Sequence, residues 1–188
     1  MKQALSRPGV VRERRGSPGP NRNVRAAAGA PVYAAKMRAP FAVLGIRTND
    51  RSVTGISYLP SGERAQAPST PLAERVCREL ERYLADPEFR FGVPLDADGT
   101  VFQRRVWQAL LQIPIGQSRT YGELARELHS APRAIGGACG ANPIALVIPC
   151  HRVVGTHGSI GGFMGVTEGE PIAIKRWLLA HEGYRFGA

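Results

Sequence analysis

The chain has 188 residues, 43% of them hydrophobic, and a formal net charge of +10, which fits one large or two small domains with a real core and a polyanionic partner. No run reaches the roughly 18 apolar residues of a membrane helix, and no signal-peptide core follows Met1, so a soluble, cytoplasmic protein is expected. Three widely spaced cysteines, Cys77, Cys139 and Cys150, form no CxxC pair, which argues against a disulfide framework.

The charge is unevenly placed. Residues 1–36 hold eight Lys or Arg against one acid, Glu13, and include the Pro/Gly/Arg-rich stretch RPGVVRERRGSPGPNRNVRAAAGAP. Such a composition buries too little apolar surface to fold. A disordered basic leader over residues 1–36 is expected, with Met37 opening the folded region. Holding nucleic acid and an Arg-rich targeting role are its alternatives.

From Ala39 the pattern changes. FAVLGIRTNDRSVTGISYL places two short apolar runs around Asn49-Asp50, the signature of a β-hairpin. PLAERVCRELERYLADPE sets Leu72, Val76, Leu80 and Leu84 on one helical face behind Pro71, with Cys77 in the core or on its flank. FRFGVPLDADG reads as one more strand and a linker. Residues 37–97 are therefore expected to form a small α/β domain, a sheet with a helix, carrying no obvious chemistry.

Residues 98–188 read as mainly helical. TVFQRRVWQALLQI opens with Thr100 and Gln103 at capping-box spacing, and TYGELARELH repeats the pattern with Thr120 and Glu123. SAPRAIGGACGAN starts near Ser130, has Pro132 in its first turn, and stops at Asn142-Pro143. Three short helices joined by tight turns fit a helix-turn-helix. PIAIKRWLLAHEG closes the chain as a helix ended by Gly183. Trp107 and Trp177 read as packing residues, His157 and His181 as surface ones.

Two segments carry chemistry. In the third helix Gly136, Gly137 and Gly140 each cost about 1 kcal/mol relative to alanine. With Ala134, Ala138 and Ala141 they leave a nearly bare face, suited to another helix or to a DNA groove. Arg133 at its start can meet phosphate or insert, or remain a solvated charge. In NPIALVIPCHRVVG an apolar strand ends at Pro149, followed by Cys150-His151. A histidine lowers the pKa of a nearby thiol, but sequence neighbours do not face each other, so a bridging water is the easier relay. Glu182 is the best carboxylate to orient His151.

IPCHRVV, with RAIGGACGANP and GQSRTYGELA before it and GFMG and IKRWLLAHEG after it, resembles the O6-alkylguanine-DNA alkyltransferases (methylated-DNA–protein-cysteine methyltransferases). The resemblance covers Thr100 to Gly183 and extends loosely back to residue 38. It implies a winged helix-turn-helix-like C-terminal domain behind the α/β domain, acting as a monomer on double-stranded DNA in the minor groove, with no membrane. It implies nucleotide flipping, with Arg133 filling the vacated stack and Ala134, Gly136 and Gly137 against the groove. Tyr121 is then the tyrosine that rotates the phosphate and protonates the base at N3. Cys150 is the thiolate that takes the alkyl group, His151 the base acting through water, and Glu182 its orienting carboxylate. Asn142 ties the helix-turn-helix to the active-site loop. Backbone near Val153 and the loop Phe163, Met164, Gly165 form the base pocket.

Displacement at a saturated carbon needs a strong nucleophile, in-line geometry and help for the leaving group, and neither metal nor organic cofactor. The thioether product has no easy leaving group, so each molecule acts once. Phe163 stands where many members carry tyrosine, removing one hydroxyl that could reach the base. A Cys–His–Glu hydrolase, which needs an oxyanion hole, and a DNA-binding module without chemistry are the rival readings. A zinc site of Cys139, Cys150, His151 and His157 lacks the paired short spacings of structural zinc motifs.

Overall fold

The computed structural model describes residues 32–185. The expected leader lies outside the described residues up to position 31, but its last residues belong to the fold. Strand β1 spans Ala35–Ala39, and Met37 sits in mid-strand opposite Leu44. AKMRA lacks the β-branched and aromatic residues that mark strands. Pairing and burial hold it instead: Ala35 is fully buried opposite Ile46.

Strands β2 (Ala42–Thr48) and β3 (Val53–Leu59) form the hairpin expected around Asn49-Asp50, giving an antiparallel sheet in the order β1-β2-β3. Asn49 shapes the turn, its Oδ1 accepting from the backbone N–H of Arg51 at 3.0 Å and Ser52 at 2.8 Å. Helix α1 (Pro71–Ala85) starts under Thr70, whose hydroxyl accepts from the Ala73 N–H at 3.1 Å. It buries Ala73, Val76, Cys77, Leu80 and Tyr83; Leu72 and Leu84 of the expected stripe lie half-buried at its margins. FRFGVPLDADG is not a strand. Val53 donates to the Pro94 carbonyl and accepts from Asp96, which leaves one isolated bridge at Leu95. Pro94 has no N–H to extend a ladder.

The second half contains α2 (Val101–Leu111), β4 (Arg119–Thr120), α3 (Tyr121–Glu127), α4 (Pro132–Gly140), β5 (Val153–Val154) and α5 (Glu170–His181). Both expected capping boxes are present, at Thr100/Gln103 and Thr120/Glu123. Helix α4 is preceded by Ala131 rather than Ser130 and starts with Pro132. Trp107 is buried in α2, and its Nε1 donates to the Ala138 carbonyl of α4 at 2.9 Å. Parallel pairing of β4 with β5 brings the start of α3 beside the segment that follows Cys150. A single core joins both halves, with Leu44, Ile56, Leu80, Leu110, Ile135 and Ile148 among its members. Among the described residues no helix is long and apolar enough to cross a membrane.

The apolar run before Cys150 is a turn, not the expected strand. Ile144 makes one bridge to Ile56 of β3, and then Leu146 adopts φ 71°, a conformation that breaks extended pairing. Hydrophobicity without alternation could not separate a buried turn from a buried strand.

Candidate active site

Asn142 organises this turn. Its Oδ1 accepts from the Ile144 N–H at 3.0 Å, and its Nδ2 donates to the Ile148 carbonyl at 2.8 Å and to Cys150 Sγ at 3.3 Å. One amide thus clamps both ends of the turn and touches the thiol. Pro149 then leads into a single 3-10 turn, Cys150–Arg152. Cys150 is only 6% exposed. Burial pushes its pKa up; the Asn142 hydrogen bond, the Lys175 charge and the backbone N–H groups of Cys150 and His151 pull the other way. The resting group is a thiol, so a base must take its proton.

His151 is fully buried, and its Nε2 lies 3.0 Å from Oε1 of Glu182. Burial lowers the imidazole pKa, the Glu182 hydrogen bond and charge raise it, and the Arg152 and Lys175 charges lower it further. The net direction favours neutral imidazole. A carboxylate only accepts, so the neutral ring donates from Nε2 and keeps its lone pair at Nδ1. That Nδ1 is buried and has no hydrogen-bond partner among the described residues. Glu182, the C-cap of α5, also accepts from Tyr83 Oη at 2.8 Å and from Arg152 Nε at 2.8 Å and Nη2 at 2.9 Å. Burial alone would raise its pKa, but the contacts with His151 and Arg152 win and hold it well below the usual carboxylate range.

Cys150 opens onto a cavity of about 360 Å³, within the size range of small-molecule sites. Tyr121 forms one wall, Arg133, Gly136 and Cys139 of α4 another, and the loop Gly162–Thr167 the third. Tyr121 donates its hydroxyl to the Gly162 carbonyl at 2.9 Å, and burial keeps it protonated by raising its pKa. The loop bends tightly at Met164 (φ 52°) and Gly165 (φ 83°), between reciprocal backbone bonds of Phe163 and Val166. Gly161, at φ 64°, lets the loop pass over Tyr121: a Cβ there would lie 2.9 Å from the ring. Glu168 and Glu170 on the following stretch are exposed.

The structure gathers most of the expected residues around this cavity. Cys150, Tyr121, Arg133, Gly136, Phe163, Met164 and Gly165 line it, His151 and Glu182 lie buried behind it, and Asn142 bonds the thiol. Val153 does not line it; its carbonyl accepts from Lys175 Nζ at 2.6 Å. Ala134 and Gly137 face outward on α4, and nothing lies within 4 Å of a Cβ built at Gly137. Among the described residues no three His, Cys, Asp or Glu side chains group to hold a metal.

Four residues escaped the sequence reading. Lys175 is fully buried, donating to the Val153 and Gly162 carbonyls at 2.6 and 2.9 Å, with its ammonium 5.7 Å from the Tyr121 ring centroid. Its position in the 174/175/178/179 stripe of α5 was the available signal. Tyr83 continues the buried face of α1. Tyr58 shares a face of β3 with Ile56, two residues away. Arg152, whose Nη1 also donates to the Ile113 carbonyl at 2.6 Å, carried no signal. His181 is not a free surface residue: it stacks on Trp177 at 4.8 Å, and its Nε2 is 2.8 Å from the Tyr83 carbonyl oxygen.

Residues 101–184 match the family described as 6-O-methylguanine DNA methyltransferase, DNA binding domain. The chain is 33% identical over 159 residues to the methylated-DNA–protein-cysteine methyltransferase of Methanosarcina acetivorans, covering 81% of this chain and 99% of that protein. It is 36% identical to the Haemophilus influenzae protein of the same name, across 80% of this chain and 86% of that one. A crystal structure of Mycobacterium tuberculosis O6-methylguanine methyltransferase superposes with a TM-score of 0.66 at 34% identity, covering 78% of this chain and 90% of that one. The corresponding structure in complex with DNA gives a TM-score of 0.67 at 36% identity, with the same coverage. The chain belongs to the methylated-DNA–protein-cysteine methyltransferase family.

Proposed function

We propose that the protein repairs O6-alkylguanine in duplex DNA by one irreversible alkyl transfer to Cys150, with O4-alkylthymine as the alternative lesion. One observation carries the reading. A buried thiol, backed by a His–Glu pair, forms the floor of a cavity that opens beside an exposed, nearly bare helix face.

The α/β domain in this reading is the unit expected over 37–97, extended back to Ala35 by β1, and residues 98–188 form a winged helix-turn-helix built on α3 and α4. Arg133, Ala134 and Gly137 are exposed on α4, so its face is free to enter a groove rather than being spent on another helix. Small side chains suit the narrow minor groove. Flipping the damaged nucleotide costs a few kcal/mol of unstacking, which Arg133 offsets by filling the stack. The base enters between Tyr121 and the Phe163–Gly165 loop.

The Cys150 proton passes through water to His151 Nδ1, and Glu182 stabilises the resulting imidazolium. Lys175 favours the thiolate. The Sγ–carbon bond forms as the carbon–O6 bond breaks, and the electron pair leaves on guanine, protonated at N3 from the Tyr121 hydroxyl. No group is poised to displace the thioether, so the protein acts once. The Tyr121 oxygen regains a proton from the His151 imidazolium through water, so the transfer needs no cofactor, and the protein works as a monomer.

Acyl transfer fits less well. The N–H of Cys150 donates to the Ile148 carbonyl at 2.8 Å and that of Arg152 to Pro149 at 3.0 Å, so these donors are engaged instead of forming an oxyanion hole. Single-turnover reaction with a duplex carrying one O6-methylguanine, beside a Cys150→Ala control, tests the proposal. Binding without transfer would favour a DNA-binding module.

A further inference from the structure

Two buried polar atoms near Cys150 lack hydrogen-bond partners among the described residues: Nδ1 of His151 and the hydroxyl of Tyr58. Buried polar groups in native proteins are rarely left unpaired, and a polar site with several convergent groups holds water. Tyr58 belongs to β3 in the N-terminal half, yet it faces the thiol region. Its strand neighbour Ile56 bonds directly to Pro143 and Ala145, in the turn that delivers Cys150. The Tyr58 ring lies 5.9 Å from that of Phe163, which lines the cavity beside Cys150. Its phenol is pushed well above its ordinary pKa by burial, then by the Cys150, Tyr83 and Glu182 charges, which places it electrostatically within the same buried cluster and keeps it a donor.

We propose that Tyr58 is a positioning residue for thiol activation, its hydroxyl and His151 Nδ1 together holding the bridging water that accepts the Cys150 proton. The α/β half would then contribute to the chemistry through Tyr58 of β3. The inference rests on the reading of Cys150 as the alkyl acceptor, but its test does not require DNA.

The test is carbamidomethylation of Cys150 by iodoacetamide across a pH series, located by peptide mass spectrometry. The thiol proton goes to the relay, the Sγ–CH2 bond forms and iodide leaves. The charged or titratable groups in the elements packed around the thiol are Tyr58 on β3, Tyr83 on α1, Tyr121 on α3, Cys139 on α4, His151 and Arg152 on the turn, and Lys175 and Glu182 on α5. Tyr58→Phe removes one oxygen and should slow the reaction about tenfold near neutral pH, less than the roughly 10²–10⁴-fold of a group that itself transfers the proton, with the midpoint displaced upward. In a His151→Gln background, the same change should have no further effect. An unchanged pH profile in folded Tyr58→Phe, or equal and additive losses in both backgrounds, would overturn the proposal. If Tyr58→Phe melts early, the rate ratio between the double variant and His151→Gln alone, read at low temperature, still decides between coupling and additivity. Normal relay behaviour with no transfer from O6-methylguanine DNA would instead count against the repair reading alone.

Discussion

Tyr83 of α1 donates its hydroxyl at 2.8 Å to the same Glu182 oxygen that lies 3.0 Å from His151 Nε2. The bond spans the two halves of the chain. A hydrogen bond to a charged group contributes about 1.5–3 kcal/mol. Tyr83→Phe should therefore lower the melting temperature by about 3–10 °C in a chain of this size, and slow alkyl transfer a few-fold. Scanning calorimetry and single-turnover kinetics check both parts.

Glu182 neutralises Arg152 and orients His151. Glu182→Gln leaves the Arg152 charge poorly compensated, at a cost of about 3–5 kcal/mol for a broken buried pair. Because the folded-state pKa of Glu182 is depressed, its contribution is complete above the ordinary carboxylate value of about 4.3 and is lost as pH falls towards the folded value. Urea unfolding of the unsubstituted protein should weaken steeply on acidification, and Glu182→Gln should flatten that slope.

Lys175 has the opposite chemistry. Burial lowers its pKa to about 8, against opposing pulls from Cys150 and Cys139. The unfolded chain then binds more protons between that value and the ordinary lysine value of about 10.4, so stability rises with pH across this window. Lys175→Met should remove the rise. It should also slow Cys150 alkylation near neutral pH about tenfold or more, since each unit by which the thiol pKa rises is tenfold less thiolate.

Arg133 is exposed at the cavity mouth. Arg133→Ala should leave stability within about 0.5 kcal/mol. Transfer from duplex DNA should fall by at least tenfold, whereas iodoacetamide labelling of Cys150 should be unaffected. Loss of both reactions would mean that Arg133 supports the thiol rather than the flipped nucleotide.

Local punctuation made the helices legible. Thr100, Thr120, Pro71 and Pro132 mark helix starts through side-chain caps and missing N–H groups, and Gly183 marks an end through its left-handed backbone (φ 74°). Cys150, His151 and Glu182 were legible as a chemical set because few carboxylates follow the cysteine. Residues 144–148 and 89–99 misled because their shape is decided by distant partners: Asn142 and Ile56 for the first, Val53 for the second. Lys175 and Tyr58 were hidden for a similar reason. Periodicity assigns a face, but it does not say that a lysine ammonium will be buried against two carbonyls, or that a strand tyrosine will turn toward a thiol on another element.

The most direct measurement is intact-protein mass spectrometry after incubation with a duplex containing one O6-methylguanine, followed by peptide mapping. Cys150 should gain the mass of one CH2, with guanine restored in the DNA, at most one event per molecule, and no gain in Cys150→Ala. An unmodified Cys150 on protein that binds the duplex, or repair continuing beyond one event per molecule, would contradict the proposed transfer.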